Sequence, residues 1–208
     1  YGVYDLAERF GGYCFFEPGR DRFDASQKRA LPGDGVVVAA RRPLLKRRGF
    51  IQEFPFNEET PQLFDWMAKN KLNYLLVWMK YYDDLPEDLK AMAQARGIVI
   101  ESGHHNFSYW IPASKYAKTH PEFFAEIDGK RIKPSEGKGD LLLSEQLCTT
   151  NPELRSEIVR NMLDYCEKHP EVKVISLVPN DGFGWCECKE CSKFYNKSEK
   201  GDFYSVSE

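Results

Sequence analysis

The run Asn73 to Met79 (NYLLVWM) constrains the fold more than any other feature of the chain. Seven consecutive and mostly apolar residues fall well short of the roughly 20 that a membrane span needs. They also lack the polar side that an amphipathic helix or half-exposed strand would keep. The run therefore reads as a strand buried on both faces, as in a parallel sheet covered by helices.

The flanking segments agree with that reading. Gly49 to Glu53 reads as a first short strand. Thr60-Pro61 opens a helix with proline in its first turn, where the missing N–H costs no hydrogen bond; Leu63, Trp66 and Met67 are its expected inner face. Pro86 starts a second helix with Leu89, Met92 and Ala93 turned inward, Gly97 ends it, and Ile98 to Glu101 form a third strand. An excursion of about 48 residues follows, aromatic at first and then polar with Gly and Lys; connections of that length in compact domains are usually functional. Asn151-Pro152 then caps a long helix, with Leu154, Ile158, Val159, Met162, Leu163 and Cys166 as its expected inner face, and Lys173 to Val178 is a fourth strand.

The order β-α-β-α-β-loop-α-β predicts an α/β fold with a parallel sheet and right-handed crossovers. A (β/α)8 TIM-type barrel and an open doubly wound sheet both begin this way. No Gly-x-Gly-x-x-Gly or Walker-type loop follows any strand, which argues against a nucleotide-binding sheet. Four strands do not close a barrel, so residues 48–208 are expected to be the first half of one, truncated at its C-terminus. Residues 1–47 read differently. Val3, Leu6, Ala7 and Phe10 have helical spacing ending at Gly11-Gly12, and turn residues then surround one β-type run, Val36-Val37-Val38. This part is expected to be the end of a small accessory domain plus a linker. Both chain ends read as cuts within a larger protein, with no signal peptide in view.

A net charge of -3 from 29 basic and 32 acidic residues supplies no electrostatic case for nucleic acid or an anionic membrane surface. Arg41-Arg42 and Lys46-Arg47 read as a local basic cluster at a solvated edge.

Active sites of parallel α/β folds gather at the C-terminal strand ends. Here those ends offer Trp78, Lys80, Tyr81 and Tyr82; then Glu101, His104, His105, Asn106, Tyr109 and Trp110; then Asn180, Asp181 and Trp185. Rings that stack on apolar sugar faces, beside groups that hydrogen-bond hydroxyls, suit a carbohydrate. Asp181 is the leading candidate for a general acid, against the alternative that it only caps the Asp-Gly turn; Glu101 is a reserve acid. His104 and His105 are candidate substrate contacts or metal ligands, Trp78, Tyr109, Trp110 and Trp185 are candidate sugar platforms or core, and Arg48 is a candidate ligand for a hydroxyl or carboxylate. The sharpest local motif is Cys186-x-Cys188-x-x-Cys191. Three such thiols suit a structural zinc ion with Cys148 or a histidine as fourth ligand, the alternatives being a disulfide or free thiols. Cys14 and Cys166 are expected in the core. No cofactor is expected to be required for catalysis.

His120-Pro-Glu-Phe-Phe-Ala125, Asp128-Gly-Lys-Arg131, Gln146-Leu-Cys-Thr-Thr-Asn-Pro-Glu153 and Pro179-Asn-Asp-Gly182, together with the cysteine motif, resemble a large bacterial family of unknown function, usually secreted and found in polysaccharide degraders. The N-terminal stretch from Tyr1 to Gly19 resembles the end of the small α/β domain that precedes the barrel in hexosaminidase-like and alpha-glucuronidase-like hydrolases. More distantly, Arg48-Gly49, Gly103-His104 and Asn180-Asp181 are similar to the first-strand Arg-Gly, the third-strand Pro-Gly-His and the catalytic Asp-Glu pair of beta-N-acetylhexosaminidases. The resemblance implies a secreted or periplasmic glycosidase acting on an oligo- or polysaccharide, with Asn180 and Asp181 in the catalytic slot. The departures carry chemical weight: Asn180 has no charge to stabilise an oxazolinium-like intermediate, and Asp181 reaches less far than Glu. A non-catalytic carbohydrate-binding barrel and a metal-dependent hydrolase using His104 and His105 are the alternatives.

Overall fold

The computed structural model describes residues 2–31, 33, 43–134, 146–198 and 201–204, without the side chains of 196–198 and 201–204. In chain order the elements begin with α1 (Gly2–Arg9), β1 (Tyr13–Glu17), β2 (Arg20–Phe23), β3 (Gly49–Gln52), α2 (Thr60–Lys69), β4 (Tyr74–Trp78), α3 (Met79–Asp83), α4 (Glu87–Ala95) and β5 (Val99–Gly103). There follow α5 (Phe107–Trp110), α6 (Ala113–Tyr116), β6 (Glu126–Ile127), β7 (Lys130–Arg131), α7 (Pro152–Lys168), β8 (Val174–Ile175), β9 (Tyr195–Ser198) and β10 (Gly201–Tyr204), with short 3-10 turns between some of them. The fold is mixed α/β, and its parallel four-stranded sheet has the order β3-β4-β5-β8, compatible with part of an α/β barrel. Among the described residues no helix is long and apolar enough to cross a membrane. The Val36–Val38 run and Arg41-Arg42 lie outside the described residues.

The chain divides into two compact units: Tyr1–Val77 with Tyr81–Glu101, and Trp78–Lys80 with Ser102–Glu208. In the first, β3 and β4 pair in parallel from Gly49↔Tyr74 to Gln52↔Val77. Leu75 and Val77 of β4 are fully buried, as the apolar run required, and Phe64, Met67, Ala68 and Ala93 complete the core. The inner face of α2 is thus set by Phe64, Met67 and Ala68, whereas Leu63 and Trp66 are half-buried. Trp66 has another partner: its Nε1 donates to Phe15 O at 3.0 Å, and Asn70 Nδ2 donates to the same carbonyl at 2.9 Å. These bonds fasten the β1–β2 hairpin onto α2. The helix stop at Gly97 matches the sequence: its φ is +69°, and Ile98 N reaches back to Ala93 O at 2.9 Å.

The second unit is built largely from the excursion after β5. Residues expected to be a loop instead supply α5, α6 and the β6–β7 hairpin, with Phe107, Trp110, Ile111, Tyr116, Phe123, Phe124 and Leu147 in the core. The helix α7 starts as expected, with Asn151 Oδ1 accepting from Glu153 N (2.9 Å) and Leu154 N (3.2 Å). Its inner face is narrower than the apolar spacing suggested. Leu154, Ile158 and Tyr165 are buried, while Val159 and Leu163 are 54% and 59% exposed. Tyr165 wins the contact because its ring meets those of Tyr109, Trp110 and His169. Cys166, expected in the core, is exposed, and Cys14 is only half-buried.

Candidate functional site

The end of β5 is the starting point of the site. A Cβ on Gly103 would stand 1.6 Å from Ser176 Oγ, so only glycine lets the chain beyond β8 approach this closely. His104 and His105 then take φ +62° and +31°, a left-handed conformation that costs non-glycine residues energy and tends to mark functional segments. The two rings lie 4.3 Å apart, and Trp78 stacks on His104 at 4.6 Å with an interplanar angle of 12°. His105 Nδ1 lies 2.8 Å from Pro179 O. A carbonyl only accepts, so Nδ1 carries the proton, and in the neutral ring the Nε2 lone pair is left as acceptor, base or ligand.

The strand that leads to Asn180 is short as a strand, only Val174–Ile175 rather than Lys173 to Val178. Asn106 holds the residues that follow. Its Nδ2 donates to Ser176 O (2.6 Å), its Oδ1 accepts from Val178 N (2.8 Å), and its own N donates to Val178 O (2.9 Å). One buried asparagine thus replaces a neighbouring strand. Asn180 is itself buried, with Oδ1 accepting from Ser108 N (3.1 Å) and Ser108 Oγ (2.7 Å) and its carbonyl accepting from Gln146 Nε2 (2.5 Å). Asp181 follows, exposed on the turn, beside an almost fully exposed Phe183.

The second unit therefore brings Trp78, His104, His105, Asn180 and Asp181 onto connected segments. Other expected site residues lie elsewhere. Tyr109 and Trp110 pack edge-to-face against each other and against Tyr165, and Trp110 is buried in the core. Trp78 is 5% exposed, so it backs the histidines rather than presenting an open platform. Trp185 lines a separate cleft of about 410 Å3 with Phe107, Leu154, Ile158, Leu177 and Phe194. Arg48 precedes β3, and its guanidinium donates to Lys71 O from Nε (3.0 Å) and Nη2 (2.8 Å) and to Leu45 O from Nη1 (2.7 Å). Those bonds make it a clip for the entry to β3. Asn106, Ser108 and Gln146 carry the site's hydrogen bonds, yet only Asn106 stands out in the sequence, as a polar residue next to the paired histidines.

Cys148, Cys186, Cys188 and Cys191 are all buried, and their sulfurs lie within 4.8 Å of one another. None is in a disulfide. Cys148 Sγ lies 3.7 Å from Cys188 Sγ and 3.9 Å from Cys191 Sγ. Backbone amides point at the cluster, Glu126 N to Cys186 Sγ at 3.3 Å and Cys191 N to Cys188 Sγ at 3.5 Å, and Thr150 Oγ1 sits 3.1 Å from Cys191 Sγ. Arg131 Nη1 lies 3.7 Å from Cys186 Sγ while donating to Phe124 O. The Cys186 thiol and then the Cys191 thiol hold Cys148 well below the usual thiol range against the effect of burial, with Arg131 adding to the pull. Correspondingly, the bonds to Cys148 and Cys191 push Cys186 upward. Four buried sulfurs this close together can hold a metal ion once they give up their protons to it.

A family model described as a domain of unknown function (DUF4838) matches residues 38–207. The chain belongs to this family. No curated protein and no solved structure matches it. Both the histidine–Asn180 segments and the four cysteines lie within the residues matched to the DUF4838 domain.

Proposed function

We propose that this DUF4838 domain is the first half of a (β/α)8 barrel glycoside hydrolase, with Asp181 as general acid. The observation that carries the reading is the backbone at His104-His105. Two adjacent non-glycine residues hold left-handed φ values directly after a sheet strand, and the second is bonded to Pro179 O beside Asn180-Asp181. Such strain persists only where the surroundings over-determine it, and it tends to collect at active sites. In this reading Asp181 donates its proton to the glycosidic oxygen as the bond to the anomeric carbon breaks. A second carboxylate or an activated water completes the displacement. The histidines contact sugar hydroxyls. Asn180 serves as the buried anchor of the turn, since its side-chain oxygen already accepts from Ser108.

The cysteine centre is read as a structural zinc site. Sulfurs about 2.3 Å from a zinc ion form a tetrahedron with edges of roughly 3.8 Å, and the Cys148–Cys188 and Cys148–Cys191 separations of 3.7 and 3.9 Å fit it. Four thiolates around one divalent ion carry excess negative charge, which the two amide N–H groups and Arg131 offset.

The exposure of Asp181 favours one alternative, a site that binds glycan without cleaving it. A reducing-sugar assay of the full-length protein against a polysaccharide panel, with binding measured in parallel, separates the two. Turnover that Asp181→Asn abolishes while binding persists supports the hydrolase. Binding without turnover in the wild type supports the alternative.

A further inference from the structure

Residues Asp181–Trp185 are fastened at both ends to one short segment, residues 146–148. Before them, Gln146 Nε2 donates to Asn180 O at 2.5 Å. After them, Cys186 shares the sulfur cluster with Cys148. Between these fastenings the chain is exposed from Asp181 to Phe183 and turns through φ +113° at Gly182 and +86° at Gly184. The segment that grips it is itself fixed. Ala125 N donates to Gln146 O (2.9 Å), Cys148 N donates to Phe123 O (2.8 Å), and Leu147 bridges to Phe124.

Gln146 is 1% exposed, and its Oε1 has no hydrogen-bond partner among the described residues. A side chain that buries an unpaired acceptor incurs a cost, and the bond offsetting that cost is the one to Asn180. That carbonyl only accepts, so the amide nitrogen must face it.

We propose that Gln146 is a positioning residue that couples the cysteine centre to the Asn180-Asp181 turn, so that metal binding there orders the segment presenting Asp181 and Trp185. The proposal rests on the zinc reading above; it does not require Asp181 to be an acid. Gln146 touches no substrate. It carries the rigidity of the metal-held segment into the turn, where Ser108 holds Asn180 from the other side.

Two amides report on the coupling without any glycan. Ser108 N donates to Asn180 Oδ1 and reads the turn, whereas Glu187 N donates to Glu126 O at 2.7 Å and reads the cysteine end. Their hydrogen exchange is measured by NMR in the zinc-loaded protein and after chelation, for wild type and Gln146→Met. In the wild type, chelation raises both exchange rates. Zinc-loaded Gln146→Met keeps the bound zinc and the protection of Glu187, but Ser108 exchanges about tenfold faster or more. Chelation of Gln146→Met then raises Glu187 exchange but leaves Ser108 where it was, because the link is already cut; a packing role alone leaves the two effects additive. Unchanged Ser108 exchange in zinc-loaded Gln146→Met, or additive effects of chelation and substitution on Ser108, overturns the proposal alone. A wild-type protein that holds no stoichiometric zinc overturns it together with the zinc reading.

Discussion

Asn106→Ala tests whether one side chain holds the segment that leads to Asn180. Asn106 is 2% exposed, and its amide makes a 2.6 Å bond to Ser176 O and a 2.8 Å bond from Val178 N. Alanine keeps the backbone bond from residue 106 to Val178 O but leaves Ser176 O and Val178 N without those partners. Each polar group stranded in this way costs about 1–3 kcal/mol, so the two together cost about 2–6 kcal/mol. For a chain of this size that lowers Tm by roughly 5 to 20 °C. Urea denaturation of wild type and variant, compared at an unchanged m-value, gives the difference directly. Exchange of the Ser108 amide should also be faster, because the chain that positions Asn180 loses two of its bonds. A stability loss under about 1 kcal/mol with Ser108 protection intact would refute the view that Asn106 stands in for a strand.

Three further outcomes follow from the geometry. Gly103→Ala places a methyl group 1.6 Å from Ser176 Oγ and should cost about 1–3 kcal/mol; Ser176→Gly in the same chain should recover most of it, as read by thermal melts. Metal analysis should find one zinc ion per chain, lost in Cys148→Ser along with a cooperative part of the melt, because structural zinc contributes directly to folding. For Glu157, burial works against the charged form but is outweighed by the hydrogen bond from Tyr116 and the ion pair with Arg160, which together hold its carboxyl below the ordinary range. The stability it contributes is therefore present above the unfolded carboxyl pKa of about 4.3 and is lost as pH falls through the folded value. Glu157→Gln should flatten that acid limb in a series of melts taken at falling pH.

Locally encoded features could be read from the sequence, and features set by packing could not. The Asn73–Met79 run, the Asn151 cap and the Gly97 stop each depend on neighbours within a few residues, and each is found where the spacing predicts. The inner face of α7 depends on what covers it. Val159 and Leu163 fit the helical period as well as Leu154 does, but Tyr165 rather than either of them meets the aromatic rings of α5. The same distinction applies to the site. His104, His105 and the Asn180-Asp181 pair stand out because strand ends are recognisable, and Cys148 could be named as a fourth ligand because thiols are few. Gln146 opens a family motif but nothing local gives its role, and nothing local marks Ser108; their partners lie 34 and 72 residues away. An arginine beside a strand looks alike in sequence whether it faces a ligand or, like Arg48 here, bonds the carbonyls of Leu45 and Lys71.

The central claim is that the turn at Asn180-Asp181 performs glycosidic chemistry. It is tested most directly by the rate at which the full-length protein releases reducing ends from a polysaccharide it binds, for wild type and Asp181→Asn. Both proteins should first be shown to hold equal zinc and to melt together, as expected for a substitution at an exposed turn position. The account predicts a fall in kcat of about 100-fold or more, the scale of a lost general acid, with glycan binding retained. Equal turnover by the two proteins would contradict it.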